Sequence, residues 1–189
     1  MIPQKPVESI RAADVRSGPL DVVGFLPQNF SAPKRATCRE FLYYVAWSRR
    51  MPARERHDAI VRVLSLLDLA DYADRRIREL SGGMLRRLGI AQAVIHDPQF
   101  IILDEPTVGL DPRQRIGIRD NVRRLASDKV VLYSTHLVED VRALADRVLI
   151  LRDGQLVFDG TVAEIEASSG APGSERLERG IGAIMDGAA

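Results

Sequence analysis

A chain of 189 residues with 46% apolar and 28% charged side chains is long enough for one domain with a real core and has an ordinary globular composition. Its 27 basic and 26 acidic residues leave a formal charge of +1, which excludes the strong basic excess expected of a nucleic-acid binder. Cys38 stands alone, so an internal disulfide is excluded and a buried, inert thiol in a reducing compartment is expected. No uncharged apolar run reaches membrane-spanning length, so membrane attachment is expected only through a partner.

The segment before Asp21 carries no apolar core of a signal peptide and reads as weakly structured. Asp21 to Leu26 predicts a short strand, ended by Pro27-Gln28-Asn29. At Thr37 a capping box, Thr37-x-x-Glu40, opens an amphipathic helix with Phe41, Leu42 and Val45 on its apolar face and Trp47 as a further candidate. Pro52 closes it, and Ile60, Val63, Leu64 and Leu67 mark a second helix. Residues 31–80 therefore form a helical insert. Beyond Ser81-Gly82-Gly83, Met84 to Ile95 predicts another helix, and Phe100 to Leu103 is an apolar run suited to a strand buried on both faces of a parallel sheet.

Asp111-Pro112 supplies an N-cap and an N1 proline for the next helix, and Val130 to Tyr133 predicts a second buried strand. Leu149 to Leu151 and Gln155 to Phe158 flank Arg152-Asp153-Gly154 as a hairpin, and Thr161-x-x-Glu164 caps a further helix. Ser168 to Ser174 reads as a flexible joint. Leu177, Ile181, Ile184 and Met185 then recur at helical spacing, predicting a terminal helix over 175–187 docked on the rest. The alternation of strand and helix is that of an α/β fold.

The chemistry concentrates at strand ends. Asp104 closes an apolar strand at the edge where α/β proteins bind ligands, a position suited to Mg²⁺, and Glu105 beside it could act as a general base. Two acids after a strand can equally be a helix cap or a solvated turn; the longer string Leu103-Asp104-Glu105-Pro106-Thr107-x-Gly109-Leu110-Asp111 is more specific. Ser81-Gly82-Gly83 alone is a turn before a helix, or an anion site made by a hydroxyl, glycine amides and a helix N-terminus.

Taken in order, Leu80-Ser81-Gly82-Gly83-Met84, Ile101-Ile102-Leu103-Asp104-Glu105-Pro106 and Ser134-Thr135-His136 resemble the ATP-binding subunit of an ABC transporter from about Val22 through Glu164. The resemblance implies a P-loop NTPase-like, mostly parallel α/β sheet with a helical subdomain, one domain over 1–189 with its signature, Walker B and switch-histidine core at 81–165. It also implies ATP and Mg²⁺ as ligands. Asp104 matches the Walker B metal acid, Glu105 the water-activating acid, Gln28 the Q-loop residue that reaches Mg²⁺ and the attacking water, and His136 the switch histidine. Ser81, Gly82 and Gly83 match the signature that faces a γ-phosphate held by the opposite subunit, and Asp111 the D-loop aspartate. Met84 replaces the usual signature glutamine, and with Leu85-Arg86-Arg87-Leu88 it resembles bacterial multidrug or antibiotic exporters.

One element departs from the pattern. Gly-x-x-x-x-Gly-Lys is absent from the sequence, whose lysines Lys5, Lys34 and Lys129 follow Gln4, Pro33 and Asp128. The expectation is therefore an ABC ATPase domain without its N-terminal strands and P-loop, weak in ATP binding on its own and exposed along its sheet. Expected partners are a second ABC ATPase subunit and a transmembrane permease, the site being cytoplasmic and peripheral to the membrane. Two alternatives share these residues. One is a non-hydrolysing subunit that lends its signature to another subunit's ATP, the other an ABC-type ATPase of DNA maintenance or translation.

Overall fold

The computed structural model describes residues 22–169 and 175–187; the expected N-terminal segment and most of the expected joint lie outside them. The chain falls into two compact units, 1–133 and 134–189.

In the first unit, β1 (Val23–Leu26) and β2 (Phe100–Asp104) pair in parallel, with Leu26 opposite Leu103, and β3 (Val130–Ser134) completes the order β1-β2-β3. Gly24, Leu26, Ile101 and Leu103 form the buried face, while alternate positions such as Phe25 and Leu132 are 46% and 54% exposed. Phe100 to Leu103 and Val130 to Tyr133 were expected to be buried strands; β2 is buried only at alternate positions and β3 is exposed at alternate ones, which corrects that expectation. The reason is period-two geometry: helices cover one side of the pleat, and among the described residues the other side stays open.

Between β1 and β2 the chain builds the helical insert. α1 (Cys38–Ser48) starts at the predicted capping box: the Glu40 amide donates to Thr37 Oγ1 at 3.1 Å, and the Thr37 amide donates to Glu40 Oε2 at 2.8 Å. α2 (Ala53–Leu66) follows Pro52 and packs Ile60, Val63 and Leu64 into the core with Leu42 of α1. Two short 3-10 turns, Ala70–Tyr72 and Ile77–Glu79, bring the chain back beside the start of α1, where Cys38 N–H donates to Arg75 O and Ile77 N–H donates to Ala36 O. Cys38 is fully buried, as expected, and burial raises its thiol pKa. Trp47 is not core: it is 57% exposed beside Tyr44.

α3 (Gly82–Val94) begins two residues earlier than the predicted Met84, because Ser81 is its N-cap, accepting the Met84 amide at 3.3 Å. It lies on β1 so closely that a Cβ on Gly89 would meet Leu26 Cδ1 at 2.6 Å. α4 (Pro112–Leu125) follows, capped by Asp111 as expected.

The second unit holds α5 (Val138–Leu144), the antiparallel hairpin β4 (Val148–Arg152) and β5 (Gln155–Gly160), α6 (Val162–Ser168) and α7 (Arg176–Asp186). Asp153 and Gly154, at φ 52° and 78°, make the two-residue turn that the hairpin's right-handed twist favours. Thr161 and Glu164 form the predicted second capping box. Val148, Ile150, Ile165, Leu177 and Ile184 share one core, so α7 docks through Leu177 and Ile184, whereas Met185 is 38% exposed and falls off the predicted stripe. No helix among the described residues is long and apolar enough to cross a membrane.

Candidate functional site

The register of the two parallel strands assembles the site. Leu26 pairs with Leu103, so stepping two residues on from this pair brings Gln28 level with Glu105. The side chains meet: Gln28 Nε2 donates to Glu105 Oε2 at 2.9 Å. Asp104 is the last residue of β2, half-buried like Glu105. Three of the sequence-predicted residues thus occupy one sheet edge.

Glu105 takes a left-handed backbone conformation, φ 43°, which a residue with a Cβ adopts only when its surroundings dictate it. The turn after it is closed by Val108 N–H to Glu105 O and Leu110 N–H to Thr107 O, both 3.3 Å, with Gly109 at φ 75°. Thr107 is fully buried and accepts the Tyr133 hydroxyl at 3.2 Å, tying β3 to this turn.

Sequence reasoning missed the residue that joins these pieces. Arg86, one helical turn into α3, is 9% exposed and sends its guanidinium under both loops. Its Nη1 donates to Pro27 O at 3.2 Å and to Gln28 O at 2.7 Å, its Nη2 to Asp104 O at 3.1 Å and to Glu105 O, and its Nε to Pro106 O at 3.0 Å. Burial lowers the guanidinium pKa, opposed by the negative charge of the Asp104 and Glu105 carboxylates. The signal was available in the helical spacing: Arg86 falls with Gly83, Ile90 and Ala93 on the buried stripe of α3, where a charged residue requires partners.

The signature triplet lies at the N-terminal end of the same helix, one turn before Arg86. Ser81 and Gly82 are exposed, Gly83 is buried against Gln114, and the amides of Gly82 and Gly83 precede the intrahelical ladder. A Cβ on Gly82 would meet only Leu110 Cδ2, at 3.8 Å, so the space beside Gly82 is open. Asp111 Oδ1 accepts the Gln114 amide at 2.9 Å, a local capping role. His136 belongs to the second unit, exposed in a loop where Thr135 Oγ1 accepts the Leu137 amide at 3.0 Å and donates to the buried Asp140 carboxylate at 3.3 Å.

Among the described residues no three His, Cys, Asp or Glu side chains converge on a point. The donor set suits a cation carried in with phosphates and held by one protein carboxylate, the usual manner of Mg²⁺ in nucleotide enzymes.

Comparison with known proteins identifies the family. The family model described as ABC transporter matches residues 5–108, more than half of the chain, and includes Gln28, Ser81, Gly82, Gly83, Asp104 and Glu105. An uncharacterized ABC transporter ATP-binding protein of Bacillus subtilis is 36% identical over 77% of this chain and 49% of its own length. The Nod factor export ATP-binding protein I of Rhizobium meliloti (strain 1021) is 41% identical over 73% of this chain and 42% of its own. ABC transporter A family member 1 of Dictyostelium discoideum is 33% identical over 79% of this chain and 17% of its own. The chain spans less than half the length of each of these three relatives.

Proposed function

Because this chain belongs to the ABC transporter ATP-binding family, we propose that it is an ATP-binding subunit of an exporter, acting with a second ATPase subunit and a separate permease at the inner face of the membrane. The hydrogen bond between Gln28 and Glu105 carries the reading, because it joins an amide able to orient water to a carboxylate able to polarise it. Glu105 serves as general base. Asp104 holds Mg²⁺, with Gln28 as a further contact, and Mg²⁺ when bound neutralises charge on the phosphates. Ser81, Gly82 and Gly83 present amides and a helix N-terminus to a γ-phosphate held by the opposite subunit. His136, which matches the family's switch histidine, contacts a γ-phosphate, and Asp111 adds to its capping role a contact across the pair.

Export is supported by the Nod factor export relatives. Permease docking is supported by an aromatic surface on the helical insert: Tyr43, Tyr44 and Trp47 line an open pocket with Glu40 and Arg56, and the guanidinium of Arg56 sits 5.4 Å from the Tyr43 ring centre. A second reading is favoured by the exposure of Ser81 and Gly82 at the start of α3. On that reading the chain contributes mainly its signature to a P-loop-bearing partner's ATP.

Mixing the full chain with a homologous P-loop-bearing subunit and measuring ATP hydrolysis tests both. A composite site predicts activity well above either protein alone, falling about a hundredfold when Ser81→Arg blocks the signature in this chain. No gain on mixing, or a gain indifferent to Ser81→Arg, would remove the composite site.

A further inference from the structure

Three successive carbonyls, those of Asp104, Glu105 and Pro106, face one guanidinium. In an extended strand successive carbonyls point to opposite sides, so this convergence requires the backbone to leave the strand at Glu105, and the left-handed turn there does so. Such a conformation is unfavourable for a residue with a Cβ and persists where other contacts impose it. The same guanidinium takes the carbonyls of Pro27 and Gln28, where the chain leaves β1. One side chain on the signature helix therefore sets the departure angle of both loops whose side chains meet in the Gln28 to Glu105 bond.

We propose that Arg86 is the positioning residue of this site: by gathering five carbonyls from two loops it holds Glu105 in its left-handed conformation and keeps Gln28 within reach of the Glu105 carboxylate. Its position on α3, one turn beyond Ser81, makes the phosphate-facing end of the helix and the acid loop move as one piece. A planar fork of donors is needed for this. A lysine, with one compact ammonium, cannot reach five acceptors on two segments. The catalytic meaning of the arrangement rests on the function proposed above; the conformational role does not.

The test is hydrogen exchange on the purified full chain, read at the amides of Val108 and Leu110, whose bonds close the turn. Arg86→Lys should raise exchange at these amides about tenfold or more, with far smaller changes in the second unit's core. The deciding variant is Arg86→Lys combined with Glu105→Gly. Glycine accepts a left-handed backbone without penalty, so it should restore most of the lost protection if strain at Glu105 is what Arg86 contains. An arginine needed only for packing gains nothing from glycine at 105. If Arg86→Lys does not fold, the double variant should fold; failure of both, or unrestored exchange in the double variant, overturns the proposal. In the mixed ATPase assay Arg86→Lys should lower kcat and leave KM unchanged. If the unmodified mixture is inactive, the function proposed above fails while the exchange result stands or falls by itself.

Discussion

Gly24 of β1 and Ala93 of α3 are in backbone contact: a Cβ on Gly24 would lie 2.2 Å from the Ala93 carbonyl oxygen. Two residues past β1 comes Gln28, and Ser81 caps the other end of α3, so this contact fixes the spacing between the Q-loop residue and the signature helix. Gly24→Ala cannot be absorbed by a rotamer change, since the obstacle is main chain, and should destabilise the chain by about 3 kcal/mol. For Gly89→Ala the nearest atoms belong to the side chains of Leu26 and Phe30, at 2.6 and 2.9 Å. It also recovers about 1 kcal/mol of helix propensity, so its net cost should be about 1 kcal/mol. Denaturant midpoints of the two variants check the order; equal costs would mean that β1 and α3 can separate.

What the sequence made legible was local. Thr37 with Glu40, Thr161 with Glu164, Asp111 with Pro112 and Asp153 with Gly154 are each decided within a few positions, and each stands where its pattern predicts. Strand burial was not legible, since Val130 to Tyr133 is apolar whether one face is covered or two. Arg86 shows the same limit at the site: its carbonyl partners lie 18 to 59 residues away in sequence, and only the parallel register of β1 and β2 brings them together. Gln28 and Glu105, 77 residues apart, were each named from the family pattern, but their bond follows from that register.

Asp97 predicts an acid limit to the stability of the first unit. Its carboxylate accepts from Lys129 Nζ at 2.8 Å and lies 3.6 Å from Arg62 Nη1; the Lys129 bond chiefly, and both cations and His96 by charge, hold its pKa below 3.8 against a smaller opposing effect of burial. A depressed carboxylate pKa stabilises the fold at pH above the unfolded value and loses that contribution as pH falls through the folded value. Asp97→Asn keeps the left-handed backbone at φ 57°, which asparagine accepts, and deletes only the charge. The parent should exceed Asp97→Asn by about 0.5 kcal/mol above about pH 5, with the gap closing below pH 3.8. Unfolding midpoints of both proteins across that range measure it, and a gap that persists in acid would show that charge is not its origin.

Trp47 is the chain's one tryptophan, 57% exposed, with its ring centre 5.9 Å from that of Tyr44. A large aromatic left in water on the insert contributes little to folding, so Trp47→Ser should change stability by no more than about 0.5 kcal/mol. At an interface the same side chain is of the kind that dominates binding, and its loss should cost about 2 kcal/mol, or about thirtyfold in Kd. Because its emission reports on a single position, parent protein added to vesicles carrying the permease should show a blue shift as the indole leaves water. Tyr44→Ser should weaken that response without altering the spectrum of the free chain's fold. A permease that binds the parent with no change in Trp47 emission would place the docking surface elsewhere on the insert.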